Sequence, residues 1–485
     1  MMTVKNLRAA LMLCGAAVAL SGCFGADKVA SPGEGVLVGG GTTPAPTPPT
    51  GPAPGTPAAD CPTGFSNVGV IANLRNCQLP NRVVGNLVLK KLPGVIYSVS
   101  GRVAVGDDQG ADQFAPVAGA QQGILTVEAG VKLFGSAGAD YIVINRGSRI
   151  FAEGTATDPV IFTSRQSVLG ETGVDSIGQW GGLVLAGRAP TNICPAGVTP
   201  PNVACNQGQV EGTNALYGGN FVGDSSGTLR YFRLMHSGFE VLPGNELNGI
   251  TFAGVGTGTV VENVQVHNSS DDGIEMFGGN VNLKNIVITG ADDDSYDTDT
   301  GFRGSLQFLI ITQRDNGGDR MFEMSCAGNA SYCSRPKVAN ATLISQSSKS
   351  GQALELNSGT GLDLVNSVVV TRAPSAADCI RMVGATTTAT FNSVFLACGT
   401  KAFSTGGIGA AATKAFFDAG KNNKSDGVST LSGVVNGANE TAIVASDAKA
   451  ISDFFTNTTY VGAVKDANDN WYKGWTCGIE AGSKC

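Results

Sequence analysis

ENVQVHNSSDDGIEMFGG (262–279) and KNIVITGADDDSYDTDTG (284–301) are two versions of one phrase. Each starts beside an Asn, runs through alternating aliphatic residues, breaks at a polar turn and resumes with a short apolar piece. The phrase returns loosely in QFLIITQRDNGGDRMFEM (307–324), ANATLISQSSKSGQALEL (339–356), VNSVVVTRAPSAADCIRM (365–382) and FNSVFLACGTKAFS (391–404). With Asn263, Asn285, Phe308, Asn340, Asn366 and Asn392 taken as equivalent, the spacings are 22, 23, 32, 26 and 26 residues. A period in the twenties with several short strands and no helix per repeat predicts an all-β, right-handed parallel β-helix. A single repeat cannot bury its inward side chains; stacking on its neighbours does so, and the core becomes a column. A β-propeller needs a longer period. A β-sandwich would leave the recurring Asn positions unexplained.

The same style appears earlier, in GILTVEAGVKLFG (123–135), YIVINRGSRIFAEG (141–154), GQWGGLVLAG (178–187) and LNGITFAGVGTGT (247–259). Residues 61–405 therefore read as one solenoid. Its N-terminal cap is expected in 61–85, and a Gly- and Cys-containing excursion in 188–228. Residues 406–485 are expected to form a small C-terminal cap, with helices at AAATKAFFDAG (410–420) and SDAKAISDFF (446–455). The composition agrees: 68 Gly and 15% charged residues suit short strands and turns. The net charge of −7 and the lack of a basic block argue against nucleic acid as a partner.

The N-terminus reads as a targeting segment. Lys5 and Arg8 precede an apolar run (9–20) that is too short to span a bilayer. Leu20-Ser21-Gly22-Cys23 resembles the lipobox of bacterial lipoproteins, which implies a signal peptide over 1–22 and lipid on Cys23. Phe24 stands where Asp would signal inner-membrane retention, so the expected address is the outer membrane, on its periplasmic or cell-surface face. The Pro- and Gly-rich stretch 23–60 is a linker, extended over TTPAPTPPTGPAPGTP (42–57). Membrane attachment is expected through the lipid alone, and the protein is expected to be a monomer.

Ten further cysteines fall into five couples that are adjacent in sequence: Cys61–Cys77, Cys194–Cys205, Cys326–Cys333, Cys379–Cys398 and Cys477–Cys485. With two histidines in the chain and no CxxC, zinc is disfavoured. Local disulfides, formed in an oxidising compartment, are the expectation. Nearest-neighbour pairing is the simplest of the connectivities that sequence leaves open.

GILTVEAGVKLFG, GQWGGLVLAGRAP, PGNELNGITFAGVG, SSDDGIEMFGG and the terminal GWTCG together resemble a family of Gram-negative outer-membrane lipoproteins with pectate-lyase-like β-helix folds. The similarity covers most of residues 61–485. It implies the fold and the address but little about activity, because β-helices host enzymes and non-enzymes alike.

The acidic residues are the chemical signal. Residues 271–323 hold eleven acidic and four basic side chains, an excess equal to the charge of the whole chain. The repeat register places Asp271 beside Asp293, Asp272 beside Asp294, Asp292 beside Asp315, and Glu275 beside Asp297 and then Arg320. Carboxylates one strand apart repel strongly at low dielectric. Either a cation sits among them or some keep a proton. Asp271, Asp272, Asp292, Asp293, Asp294, Asp297 and Asp299 form the candidate ligand set, and hard oxygen donors at this density suit Ca2+. The plainer reading is a solvated acidic ridge.

A catalytic reading uses the same residues. Asp271-Asp272-Gly273 resembles the DDG-type element of polygalacturonases, and Asp297 or Asp299 would supply a third carboxylate; that family's Gly-His-Gly and Arg-Ile-Lys elements are missing. For a calcium-dependent lyase, Lys284 is the candidate base, with Arg303, Arg314 and Arg320 nearby. His236 and His267 are expected at the surface. Trp180, Tyr296 and Phe302 are expected either to pack or to offer a sugar-binding face. Three function classes stay open: a non-catalytic scaffold that binds polysaccharide or another envelope component, a polysaccharide lyase or glycoside hydrolase, and an adhesin or phage receptor.

Overall fold

The computed structural model describes residues 55–399, 401–480 and 483–485. The expected signal segment, Cys23 and the linker through residue 54 lie outside the described residues. Among the described residues, no helix is long and apolar enough to cross a membrane.

Two long sheets wind around a shared core, one of fifteen strands and one of ten. Coil-to-coil pairing is parallel throughout the solenoid. On the fifteen-stranded sheet, Val266, Ile288, Ile311, Leu343, Val369 and Leu396 stack in register. On the ten-stranded sheet, Ile250, Ile274, Tyr296, Phe322, Leu354 and Ile380 do the same. All of these side chains are fully buried in one core cluster. A large side chain buried in this way is worth roughly 1.5–3 kcal/mol, and a single coil has nothing to bury it against.

The recurring Asn has a conformational cause. Tyr231, Asn263, Asn285, Phe308, Asn340 and Asn366 all have φ between 45° and 62°. Left-handed backbone is costly for most residues, and Asn tolerates it best after Gly. Each of these residues bends its long strand and resets the in–out alternation. Val261, Val264 and Val266 all face the core, as do Leu283, Ile286 and Ile288, so the apolar spacing runs three and then two. In the last coil this place is taken by Ser393 (φ 55°), one residue after the expected Asn392, which pairs with Val365 as an ordinary strand residue.

All five disulfides join the sequence-adjacent couples. At the N-terminal end, Ser66–Ile71 pairs antiparallel with Leu74–Gln78, which hands over to the parallel ladder at Val95–Val99. The excursion after Gly182–Ala186 carries Cys194–Cys205 and a small hairpin, Gly208–Gln209 with Leu216–Tyr217. It folds back onto the outer side of the ten-stranded sheet, where Tyr217 packs near Phe277 and donates to Thr300 Oγ1 at 3.3 Å.

The C-terminal region departs from the expected helical cap. Helix Ala410–Asp418 does sit at the last coil, with Phe417 against Phe391 and Phe403. Residues 446–455 are turns, not a helix. From there the tail runs back along the outer face of the fifteen-stranded sheet. Asn366 accepts from Ser446 N (2.7 Å) and donates to its carbonyl (2.9 Å). Gln307 makes the same pair of hydrogen bonds with Thr456 (2.8 and 2.6 Å), and Gln265 with Cys477 (3.0 and 2.5 Å). Trp475 is fully buried beneath this strap, edge-on to Tyr231.

Candidate functional site: a carboxylate column on the ten-stranded sheet

Strand alternation decides which side chains leave the core. In Ile274–Phe277 and Tyr296–Asp299 the aliphatic and aromatic residues at the first position point in, so Glu275 and Asp297 point out. The register continues outward through Phe322–Met324, Gln352–Leu356 and Asp378–Met382. Thr251, Glu275, Asp297, Glu323, Glu355 and Arg381 therefore form one column across successive coils. The turn that precedes each strand adds Asp271 and Asp272, then Asp293 and Asp294, then Asp319. Asp272 Oδ1 accepts from Asp294 N at 3.0 Å, and Asp294 Oδ1 from Arg320 N at 2.7 Å.

The arrangement divides into two halves. In the later coils basic side chains neutralise the acids. Arg320 reaches Asp319 (2.5 Å), Glu323 (3.4 Å) and Glu355 (3.3 Å), and Arg381 reaches Glu355 (3.0 Å). In the earlier coils, among the described residues, no ion pair within 4 Å reaches Asp271, Asp272, Glu275, Asp293 or Asp297. Oxygens of Asp271, Asp272 and Asp293 lie within 4.8 Å of one another, as do those of Asp272, Glu275 and Asp297, and those of Asp293, Asp294 and Asp319. At such a distance two carboxylates repel by about 3.5 kcal/mol at an effective dielectric near 20. Burial, reinforced by the Asp293 charge, pushes Asp271 up to about 8. Burial first and neighbouring carboxylates second hold Asp272, Glu275, Asp294 and Asp297 well above the usual carboxylate range.

Two buried oxygens of carboxylate or carboxamide groups in this half have no hydrogen-bond donor among the described residues. One is the buried Oδ1 of Asp297. The other is Oδ1 of Asn248, a 3% exposed residue whose Nδ2 donates to Glu275 Oε2 at 2.6 Å. The electrostatic wall is completed from outside the repeat: Glu211, from the excursion, and Glu246, from the strand pair Glu240–Leu242 and Asn245–Glu246, both raise Asp271 further.

The structure corrects several expectations. Asp297 is followed in the column by Glu323, not Arg320, because the turn after Thr312 is longer than the turn after Thr289. For the same reason Asp293 neighbours Asp319, and Asp292 does not stack on Asp315. Asp292 leaves the ligand set: it is ion-paired with Arg314 and lies 3.5 Å from Lys349. Asp299 also leaves it, because its Oδ1 accepts from Ser325 Oγ (2.9 Å) and Ala327 N (2.8 Å). Lys284 is not a base at this site. It lies on the other sheet, in register between Glu262 and Gln307, with its ammonium over the Phe308 ring. Arg303 stacks on Tyr332 at 3.8 Å. His236 and His267 are buried, not at the surface, and Tyr296, Phe302 and Trp180 are fully buried, which leaves no sugar platform among them. The candidate ligand set left out Glu323, Glu355, Asp319, Glu246 and Glu211, which the structure places in or around the column. Period-two alternation in FEM and QALEL was the signal available for the first two.

A family model of the pectate-lyase-like beta helix domain matches residues 114–476. No curated protein matches, and no solved structure matches.

Proposed function

Because the chain belongs to the pectate-lyase-like beta helix family, we propose that it is a non-catalytic envelope scaffold that holds Ca2+ between the coils of its ten-stranded sheet and presents that face to an anionic polysaccharide. The observation that carries this reading is a carboxylate set without a described ion pair: Asp272, Glu275 and Asp297 within 4.8 Å of one another, with no donor on Asp297 Oδ1 or on the neighbouring Asn248 Oδ1 among the described residues. Such a set satisfies itself only with protons or with a cation. Calcium suits it because it takes six to eight oxygens in irregular geometry. Carboxylates at the open rim would let the same ion share a carboxylate of the glycan.

The lipobox-like Leu20-Ser21-Gly22-Cys23 and the proline-rich linker support attachment to the outer membrane through lipid on Cys23. Lyase chemistry needs a base that can give up its proton. Arg381 is the basic side chain in the column and Arg320 lies in the turn beside it, and both are held by carboxylates. Calorimetric titration of Ca2+ into chelator-treated full-length protein is expected to give a Kd on the order of 0.1–1 mM, the range of extracellular modules. Asp297→Asn is expected to weaken it at least tenfold. Absence of heat at millimolar Ca2+ removes the reading. Acidic polysaccharides incubated with the protein are expected to yield neither unsaturated product nor new reducing ends.

A further inference from the structure

The turns that lead to the acidic cluster begin at a second, chemically different site. A cavity of about 340 Å3 opens where the strands Val260–His267, Asn282–Thr289 and Ser305–Thr312 end. Its floor is Asn268, Gly290 and Gln313; its sides are Val174, Pro374 and the tail at Gly478. Gln313 is 1% exposed, yet neither its Nε2 nor its Oε1 finds a partner among the described residues. Asn268, also 1% exposed, donates to Val174 O at 2.8 Å and leaves its Oδ1 without a donor. Arg314 Nε is buried and unpartnered as well. Residues that line this one cavity thus carry two donors and two acceptors without a partner among the described residues.

We propose that this cavity binds a neutral glycosyl unit. The charges around it exclude the alternatives. Arg314, the cation on the wall, is held by Asp175 (3.2 Å) and by Asp292, so an anionic ligand would find no free positive charge. The imidazole of His267 accepts or donates through Nδ1 to Thr289 Oγ1 at 2.8 Å and is buried, which keeps it uncharged. The one further carboxylate, Asp315, is exposed at the rim. A hydroxyl group both donates and accepts, so a sugar edge matches a carboxamide beside a guanidinium N–H and a lone amide oxygen. The volume falls at the small end of the range for ligand pockets, which suits one or two pyranose rings.

Saturation-transfer NMR on the full-length protein, with methyl glucoside, methyl mannoside, methyl galactoside, lactose and galacturonate as probes, tests this. At least one neutral sugar is expected to give transfer, and galacturonate is expected to bind more weakly. Gln313→Leu is expected to lower the affinity about tenfold or more. Gln346→Ala, a half-exposed residue of the same wall, is expected to lower it several-fold and carries the test if Gln313→Leu does not fold. No transfer from any neutral sugar, transfer unchanged in both variants, or equal binding of galacturonate would each overturn the proposal. The site is separable from the calcium reading, because chelator should leave sugar transfer intact.

Discussion

The two long sheets have opposite answers to one problem. Both carry polar side chains on their outer faces. On the fifteen-stranded sheet they include carboxamides at different positions of the coil, and the chain covers them itself: Gln265, Gln307 and Asn366 each clasp the backbone of the returning tail. On the ten-stranded sheet the stacked groups are carboxylates, and in the earlier coils no described basic group pairs with them. Amides carry both donor and acceptor and can be satisfied by peptide groups. Carboxylates only accept, and a second strand of backbone would leave their charge in place. Outward polar residues therefore make a seam or a site, depending on whether the chain can answer their chemistry.

The largest expected effect breaks the seam. Trp475→Ala removes a fully buried indole from under the strap and should cost about 3–5 kcal/mol in denaturant unfolding, without altering calcium affinity. An equal loss of calcium binding would mean that the two faces are not independent.

Next, on the acidic face, Asp272→Asn with Asp297→Asn removes two of the repelling charges. In chelator at pH 8 this double variant should be more stable than the parent by about 2–3 kcal/mol, since one such pair repels by about 3.5 kcal/mol. It should no longer gain thermal stability from calcium. A destabilised variant in chelator would show that the carboxylates already sit in a satisfied network.

The faces should also titrate in opposite directions. Asp271 has its pKa raised to about 8 in the folded protein, so the folded state holds this proton more tightly than the unfolded chain does. Its contribution is present in full below the usual carboxylate range near 4 and is lost as pH rises through about 8. In chelator, the melting temperature should therefore fall between pH 7 and pH 9, above the histidine range, and calcium should offset the fall. The buried histidines act the other way. Burial lowers His236, and burial followed by the charge of its partner histidine lowers His267 to about 3. The unfolded chain takes up these protons first, so stability is lost as pH drops below about 6.5 toward 3. A melting curve flat across both ranges would contradict the burial of both groups. The smallest effect sharpens the seam: Gln307→Ala leaves the Thr456 peptide unpaired and should cost about 1–3 kcal/mol, read by hydrogen exchange at residues 456–462.

Much of this contrast was legible in the sequence, and the gaps have physical causes. The coil, the inward columns and the disulfide partners follow from local patterns, because each coil touches only its neighbours. Asn263, Asn285, Asn340 and Asn366 were visible as a column, although their reason, a left-handed corner, was not. The stacking of Glu275 on Asp297 was readable because the intervening turns match. The next step failed at the longer turn around Asn316-Gly317-Gly318, which shifted Arg320 out of the column and let it neutralise its neighbours instead. The doubling back of the tail was invisible. Its bonds join residues 149 and 212 positions apart, and nothing periodic in 446–485 marks them. Glu211 and Glu246 come from segments outside the repeat, so no register could have placed them.

The most direct test is a crystal structure of the protein grown with millimolar calcium. The account predicts one strong peak bounded by Asp272, Glu275 and Asp297, with six to eight oxygens at about 2.3–2.6 Å. Carboxyl oxygens of those residues paired with each other or with water at hydrogen-bond distance, and no cation density at that calcium concentration, would contradict it.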